Sequence, residues 1–254
     1  MSTFPVPDTI YDGEKMLVLQ AQLGEWDNLN HLLVCKASGK AAIVDPFSGD
    51  YWVDVCQQRS FTLQSALLTH SHWDHSKGIS QLLERNPEAE VWVHELEYQR
   101  GWTGPDTDHW STPPQSGTEY QLGELFFTIH CTPGHTPGHV TIIGNGVVVS
   151  GDCIFLSRCG RTDLFGGDMR AQHSSLVYLK DILSHLPEDW LVLPGHQYSM
   201  ADGSNPTFIS VGQLLSENAA LRAAGNWQEF SQLDFLSFDD SMAEKARRQR
   251  AKQS

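Results

Sequence analysis

The chain has 254 residues, 40% of them hydrophobic, which suffices for one large folded core and excludes general disorder. A formal charge of −14 argues against broad binding to nucleic acid or an anionic membrane, because phosphate would be repelled at long range. Five cysteines, Cys35, Cys56, Cys131, Cys153 and Cys159, are odd in number and show no C-x-x-C spacing, which excludes a disulfide framework or a cysteine zinc site as the organising feature.

The first thirty residues place Asp8, Asp12, Glu14 and Lys15 ahead of any long apolar run, unlike a secretory signal. No later stretch approaches the roughly 20 apolar residues of a membrane-spanning helix, so the expected address is the cytoplasm. "MLVLQAQL", "HLLVCKA" and "KAAIVDP" are short apolar runs between Gly, Asp and Asn turns, and read as consecutive strands opening a sheet. "SALLTH" is a further strand. "GISQLLERNPEAE" has Ile79, Leu82 and Leu83 at helical spacing and a proline stop, and "VWVHE" returns to strand. "GWTGPDTDHWSTPPQSGTE", from Gly101 to Glu119, reads as loop by its Gly, Pro, Asp and Ser content; its Trp102 and Trp110 suit a cleft wall, a dimer contact or simple packing. Beyond it, "ELFFTIHCTPGH", "HVTIIGNGVVVSGD" with a Gly-Asn-Gly turn, a helix around "SSLVYLKDILSHL" and "DWLVLPGH" repeat the strand and helix grammar. "PTFISVGQLLSENAALRAA" carries Ile209, Leu214, Leu215 and Leu221 in helical rhythm, and "KARRQRAK" follows as a basic tail.

The strands "SALLTH", "HCTPGH", "VVVSGD" and "WLVLPGH" all end in a histidine or an aspartate close to glycine or proline. Four strand ends therefore deliver polar side chains to what can be one sheet edge, where ligands sit in layered α/β proteins. "THSHWDH" alone holds three of the twelve histidines. In extended or loop backbone, His70 and His72 can aim at one metal, with Asp74 and His75 at the next bend. Two such groups suggest two ions, completed by His135, Asp152 and His196, and burying these side chains without partners would cost several kcal/mol. Imidazole and carboxylate donors suit zinc, with manganese or iron as alternatives. The glycines at 134, 151 and 195 let the chain turn sharply beside these residues. His31, His94, His109, His130, His173 and His185 lack such company and read as core or surface histidines, and His139 as a core or supporting residue.

"THSHWDH", "TPGH", "SGD" and "LPGH", in this order and spacing, resemble the metallo-β-lactamase superfamily over about residues 16 to 200. The resemblance implies an α/β fold, an αββα sandwich of two mixed sheets flanked by helices. It implies a catalytic domain, taken as residues 1–200; the helical rhythm and basic tail beyond it read as a C-terminal helical extension over 201–254. It implies a first metal site of His70, His72 and His135, a second of Asp74, His75 and His196, and Asp152 bridging them, with Asp152 and Asp74 as catalytic carboxylates. Asp45 stands where the family often has a supporting aspartate, and equally suits a strand-ending turn.

"GDCIFLSRCGRTDLFGGD" is similar to the segment that glyoxalase II, its short relatives and persulfide dioxygenases carry after the bridging aspartate. Arg161 and Tyr198 match positions that help hold glutathione in glyoxalase II; Arg161 equally suits a salt bridge with Asp163 or Asp168, and Asp163 departs from the glyoxalase II pattern. The implied activity is hydrolysis of hydroxyacyl-glutathione or a related acyl thioester by a hydroxide bridging two divalent ions. The alternative is a persulfide dioxygenase holding one iron through His70, His135 and Asp152; against it stand Trp73 and the "LPGHQY" ending. A catalytically silent binding protein is the third reading, and the full ligand set weighs against it. Cys153 reads as a strand residue pointing away from the metals.

Overall fold

A computed structural model describes residues 5–105 and 108–237; the basic stretch "KARRQRAK" lies outside the described residues. The first half forms β1 (Asp8–Asp12), β2 (Met16–Leu23), β3 (Asn28–Cys35), β4 (Lys40–Val44), α1 (Gly49–Arg59), β5 (Thr62–Leu67), α2 (Trp73–Ser76), α3 (Ile79–Arg85), β6 (Glu90–His94), α4 (Glu95–Gln99) and β7 (Asp108–Trp110). Its seven strands lie side by side in chain order, antiparallel from β1 to β4 and parallel from β4 to β7. The second half adds β8 (Gly117–Leu122), β9 (Leu125–Cys131), β10 (Val140–Gly144), β11 (Val147–Gly151), α5 (Met169–Ser184), β12 (Leu191–Pro194), β13 (Ile209–Ser210), α6 (Val211–Glu217), α7 (Ala219–Ala223) and α8 (Trp227–Phe230). Its strands order as β13-β12-β11-β10-β9-β8, with β11 and β12 parallel across the α5 crossover.

Side-chain alternation along the strands builds the layers. In β3, Leu32 and Val34 point outward to a core shared with Trp52 and Val55 of α1 and Leu82 of α3. Leu33 and Cys35 point the other way, into the space between the sheets, where they meet Leu125, Phe127 and Ile142. The far face of the second sheet packs Val148 and Val192 against Leu176, Leu179 and Leu183 of α5, which recur at helical spacing. Helices thus cover both outer faces, giving two mixed sheets in an αββα sandwich. Although every residue of β3 is buried, its first half carries the polar Asn28, Asn30 and His31, and only Leu32 to Cys35 is a continuous apolar run.

Three expectations need correction. The segment Gly101–Glu119 is not all loop: residues 108–110 pair with β6 as an edge strand and β8 starts at Gly117. Its tryptophans pack, Trp110 stacked on Trp92 at 5.5 Å and Trp102 against the core under α1. The single helix read through "PTFISVGQLLSENAALRAA" is interrupted. Ile209 and Ser210 add a strand to the second sheet, and Asn218 ends α6 and caps α7. Cys153 sits in a turn beyond β11 and not in a strand, with its thiol 3.8 Å from Gln172 Nε2. Among the described residues no helix is long and apolar enough to cross a membrane.

Candidate metal centre

The ends of β5, β9, β11 and β12 meet at one edge of the sandwich, and all seven predicted side chains converge there. β5 runs out into His70 and His72, and the single turn of α2 then turns Asp74 and His75 inward. His135 comes from the β9 to β10 connection, Asp152 from just after β11, and His196 from just after β12. All seven are buried.

Two groups form. His70 Nε2 and His135 Nε2 each lie 2.9 Å from His72 Nδ1. His75 Nε2 and His196 Nε2 lie 3.1 Å apart, with Asp74 Oδ2 3.5 and 3.3 Å from them. Asp152 reaches both groups: Oδ2 is 3.5 Å from His135 Nε2 and 3.4 Å from His196 Nε2, and Oδ1 is 3.4 Å from His75 Nε2. Backbone geometry serves this closeness. A Cβ on Gly195 would stand 2.3 Å from Asp152 Oδ1, and Gly151 turns at φ +49°, against Thr69 and His139.

The rear nitrogens of four imidazoles are each tied down, which fixes tautomer and aim. His135 Nδ1 donates to the Arg161 carbonyl at 2.7 Å and His196 Nδ1 to the Trp26 carbonyl at 2.8 Å. His75 Nδ1 donates to Asp45 at 2.9 Å. His70 Nδ1 lies 3.0 Å from the Thr69 hydroxyl, which itself donates to Asp45 at 2.6 Å. Asp45, at φ +51°, is therefore both the turn residue and the supporting aspartate that the sequence left open. His139 accepts from the backbone N–H groups of Asp152 and Cys153, each at 3.1 Å, and so holds the Asp152 backbone from behind.

Asn28 and Trp26 carried no signal in the sequence. Asn28 Nδ2 donates to Asp74 Oδ2 at 2.9 Å and its backbone forms an isolated bridge with His196. A polar residue at the start of a strand does not reveal that the β2 to β3 turn reaches the site.

Burial holds His70, His72 and His135 below the usual imidazole range, so this group is neutral at pH 7. Burial would also depress His75 and His196, but Asp152 and Asp74 prevail and raise both, His75 to about 9. Burial alone would raise Asp74 and Asp152; the neighbouring histidines hold both below the usual carboxylate range. Facing nitrogens at about 3 Å can share only one proton per pair. His72 Nε2 and Asp152 Oδ1 have no hydrogen-bond partner at all. Such a surplus of buried acceptors is costly unless a cation takes their lone pairs, and the all nitrogen and oxygen donor set fits divalent zinc, manganese or iron.

Arg161 forms a bidentate pair with Asp163, both contacts at 2.5 Å, while Asp168 instead caps α5 through Ala171 N. Tyr198 packs on Phe155 at 4.7 Å, with its ring 6.5 Å from that of His196.

Residues 25–196 match the Metallo-beta-lactamase superfamily. A hydroxyacylglutathione hydrolase of Tolumonas auensis is 32% identical over 67% of this chain and 62% of its own length, and one of Xanthomonas campestris is 31% identical over 78% and 74%. The matched part thus spans about three fifths of the Tolumonas protein. The solved structure of ETHE1 from Myxococcus xanthus superposes with a TM-score of 0.70 at 26% identity, covering 85% of this chain and 88% of that one. With the family match spanning the whole set of convergent histidines and aspartates, the chain belongs to the metallo-β-lactamase superfamily.

Proposed function

We propose that the protein hydrolyses an acyl thioester, hydroxyacyl-glutathione or a close relative, with two divalent ions, zinc in the first instance. His70, His72 and His135 would hold one ion, Asp74, His75 and His196 the other, and Asp152 would touch both. The observation that carries this reading is the position of the Asp152 carboxylate, within 3.5 Å of both groups. Bound there, the ions would supply Lewis acidity toward a thioester carbonyl and lower the pKa of a water toward neutrality.

The chain's own residues do the rest. Asp152, kept ionised by His196, His75 and His135, orients the attacking water and accepts its hydrogen bond. Burial raises the Tyr198 phenol above its ordinary value, so it stays protonated beside His196 as a neutral donor. Trp26 and Trp73, 6.0 Å apart, and Phe155 with Tyr198 add aromatic surface around the His196 side of the site. The names of the two bacterial relatives support glutathione as the thiol carrier. Arg161, paired to Asp163, can meet a glutathione carboxylate only by sharing or exchanging that partner.

The test uses two substrates. A charge-assisted contact is worth roughly 1.5–3 kcal/mol, so Arg161→Ala should raise KM for a glutathione thioester by roughly ten- to a hundredfold with little change in kcat. A small synthetic thioester should be affected less; equal effects on both would mean that Arg161 braces its loop, and another carrier would replace glutathione.

The second reading is the mononuclear-iron persulfide dioxygenase, with which Asp163, a departure from the glyoxalase II pattern, and the segment Gly160 to Asp163 are equally compatible. One iron per chain with persulfide-dependent oxygen uptake, and no thioester hydrolysis, would establish that reading in place of the first.

A further inference from the structure

Glu97, in the middle of the short helix α4, is fully buried, and its place in the sequence gives it no evident role. Its carboxylate accepts three hydrogen bonds. Oε2 takes the backbone N–H of Ser71 at 2.9 Å and also the Ser71 hydroxyl. Oε1 takes the backbone N–H of Gly138 at 2.8 Å. Ser71 lies between His70 and His72, and Gly138 lies in the connection between His135 and His139. One carboxylate therefore ties together the two chain segments that bring His72 Nδ1 and His135 Nε2 to 2.9 Å.

The clamp is itself anchored. His94 accepts from Leu96 N at 3.2 Å to cap α4 and donates to the Thr112 carbonyl at 2.8 Å. Arg100 donates to the Ser71 hydroxyl at 3.1 Å and to the Phe165 carbonyl at 2.9 Å, so the segment after Arg161 is held by the same helix end. Gly138 is needed for the approach, because a Cβ there would stand 2.9 Å from Glu97 Cγ.

We propose that Glu97 is a positioning residue that sets the spacing of His70, His72 and His135, and with it the affinity of that group for a divalent cation. The inference rests on the metal-binding part of the proposed function and not on the thioester. The other group takes its supports from Asn28, the Trp26 carbonyl and Asp45, which also reaches His70 through Thr69; Glu97 bonds none of these, so its effect should fall on one ion. Chemistry as well as shape is required: all three partners of Glu97 are donors, and a glutamine would turn its own N–H2 toward one of them.

The experiment is a zinc titration of chelator-stripped protein against a competing chromophoric chelator, for the wild type and Glu97→Gln, each also carrying His196→Ala to single out the first group. Loss of such a supporting contact typically costs 10–100-fold in metal affinity. Glu97→Gln should weaken the first ion by roughly that factor, in both backgrounds, and leave the second within about twofold. Equal weakening of both ions, or a lower Tm with both affinities unchanged, would overturn the proposal and leave Glu97 a fold residue. If Glu97→Gln does not fold, Ser71→Ala removes one of the three contacts and should weaken the first ion by roughly two- to tenfold; an unchanged affinity would be equally fatal. A wild-type chain that binds no ion ends the metal reading and the clamp together, whereas ion binding unaltered in the variants ends only the clamp.

Discussion

Asp152 is the residue on which the proposed chemistry turns. An asparagine there keeps the shape but removes negative charge from the point where two cations would meet. Asp152→Asn should lower thioester turnover by roughly a hundredfold or more and reduce bound metal, measured on the same preparation; near-normal turnover at full metal loading would remove Asp152 from the mechanism. The site's charges also predict a pH response. His75 is raised from 6.5 to about 9, so in metal-free protein its stabilising contribution is complete below pH 6.5 and is lost as pH rises through about 9. Asp74 and Asp152 are depressed, so their contribution is present above the ordinary carboxylate range and lost only as pH falls below it. Chelator-treated protein should therefore show a falling Tm from about pH 7.5 to 9, where the depressed His70, His72 and His135 are already neutral both folded and unfolded, recovered by zinc; a Tm flat or rising over that interval would contradict the assigned charges. At this scale the sequence exposed the seven converging residues because metal-capable side chains at strand ends have no packing use. It concealed Asn28, Thr69 and Glu97, since a lone polar residue does not announce which distant loop it will bond.

Among the elements, α7 and its cap show how side-chain bonding overrides apolar rhythm. Asn218 accepts from Leu221 N at 2.9 Å and donates to the carbonyls of Phe155 and Arg158 at 2.8 and 3.0 Å. Asn218→Ala would remove a helix cap and leave buried carbonyls unpaired, so it should lower unfolding free energy by about 2–4 kcal/mol in urea titration. A loss under about 0.5 kcal/mol would mean that water replaces the side chain without penalty. The same residue explains why one helix was legible where there are two: Leu214 and Leu221 belong to one core, and the break between them is made by hydrogen bonds. β2 was legible to its ends because its apolar residues run unbroken from Met16 to Leu19 and resume at Ala21 and Leu23. α1 was not, because Tyr51, Trp52, Val53, Val55 and Cys56 are all buried and leave no stripe of helical period. β7 has three residues and exists only through its pairing to β6, which no local signal specifies.

For the molecule as a whole, the sandwich explains why the site is where it is. The facing sides of the two sheets and the helix-covered outer faces are packed with apolar side chains, so the open edge where β5, β9, β11 and β12 end is a place where polar side chains from separate segments can meet. Apolar runs made the individual strands and the α5 helix readable, while the two-sheet layering came from the resemblance carried by the metal motifs, because the spatial order of the strands depends on crossovers that apolar patterns do not encode. The central claim is that this edge holds two divalent ions joined through Asp152. Elemental analysis of protein purified without added metal tests it most directly. Two ions per chain in the wild type, falling to one or fewer in Asp152→Asn, is the predicted result; a single tightly held ion in both proteins would contradict it.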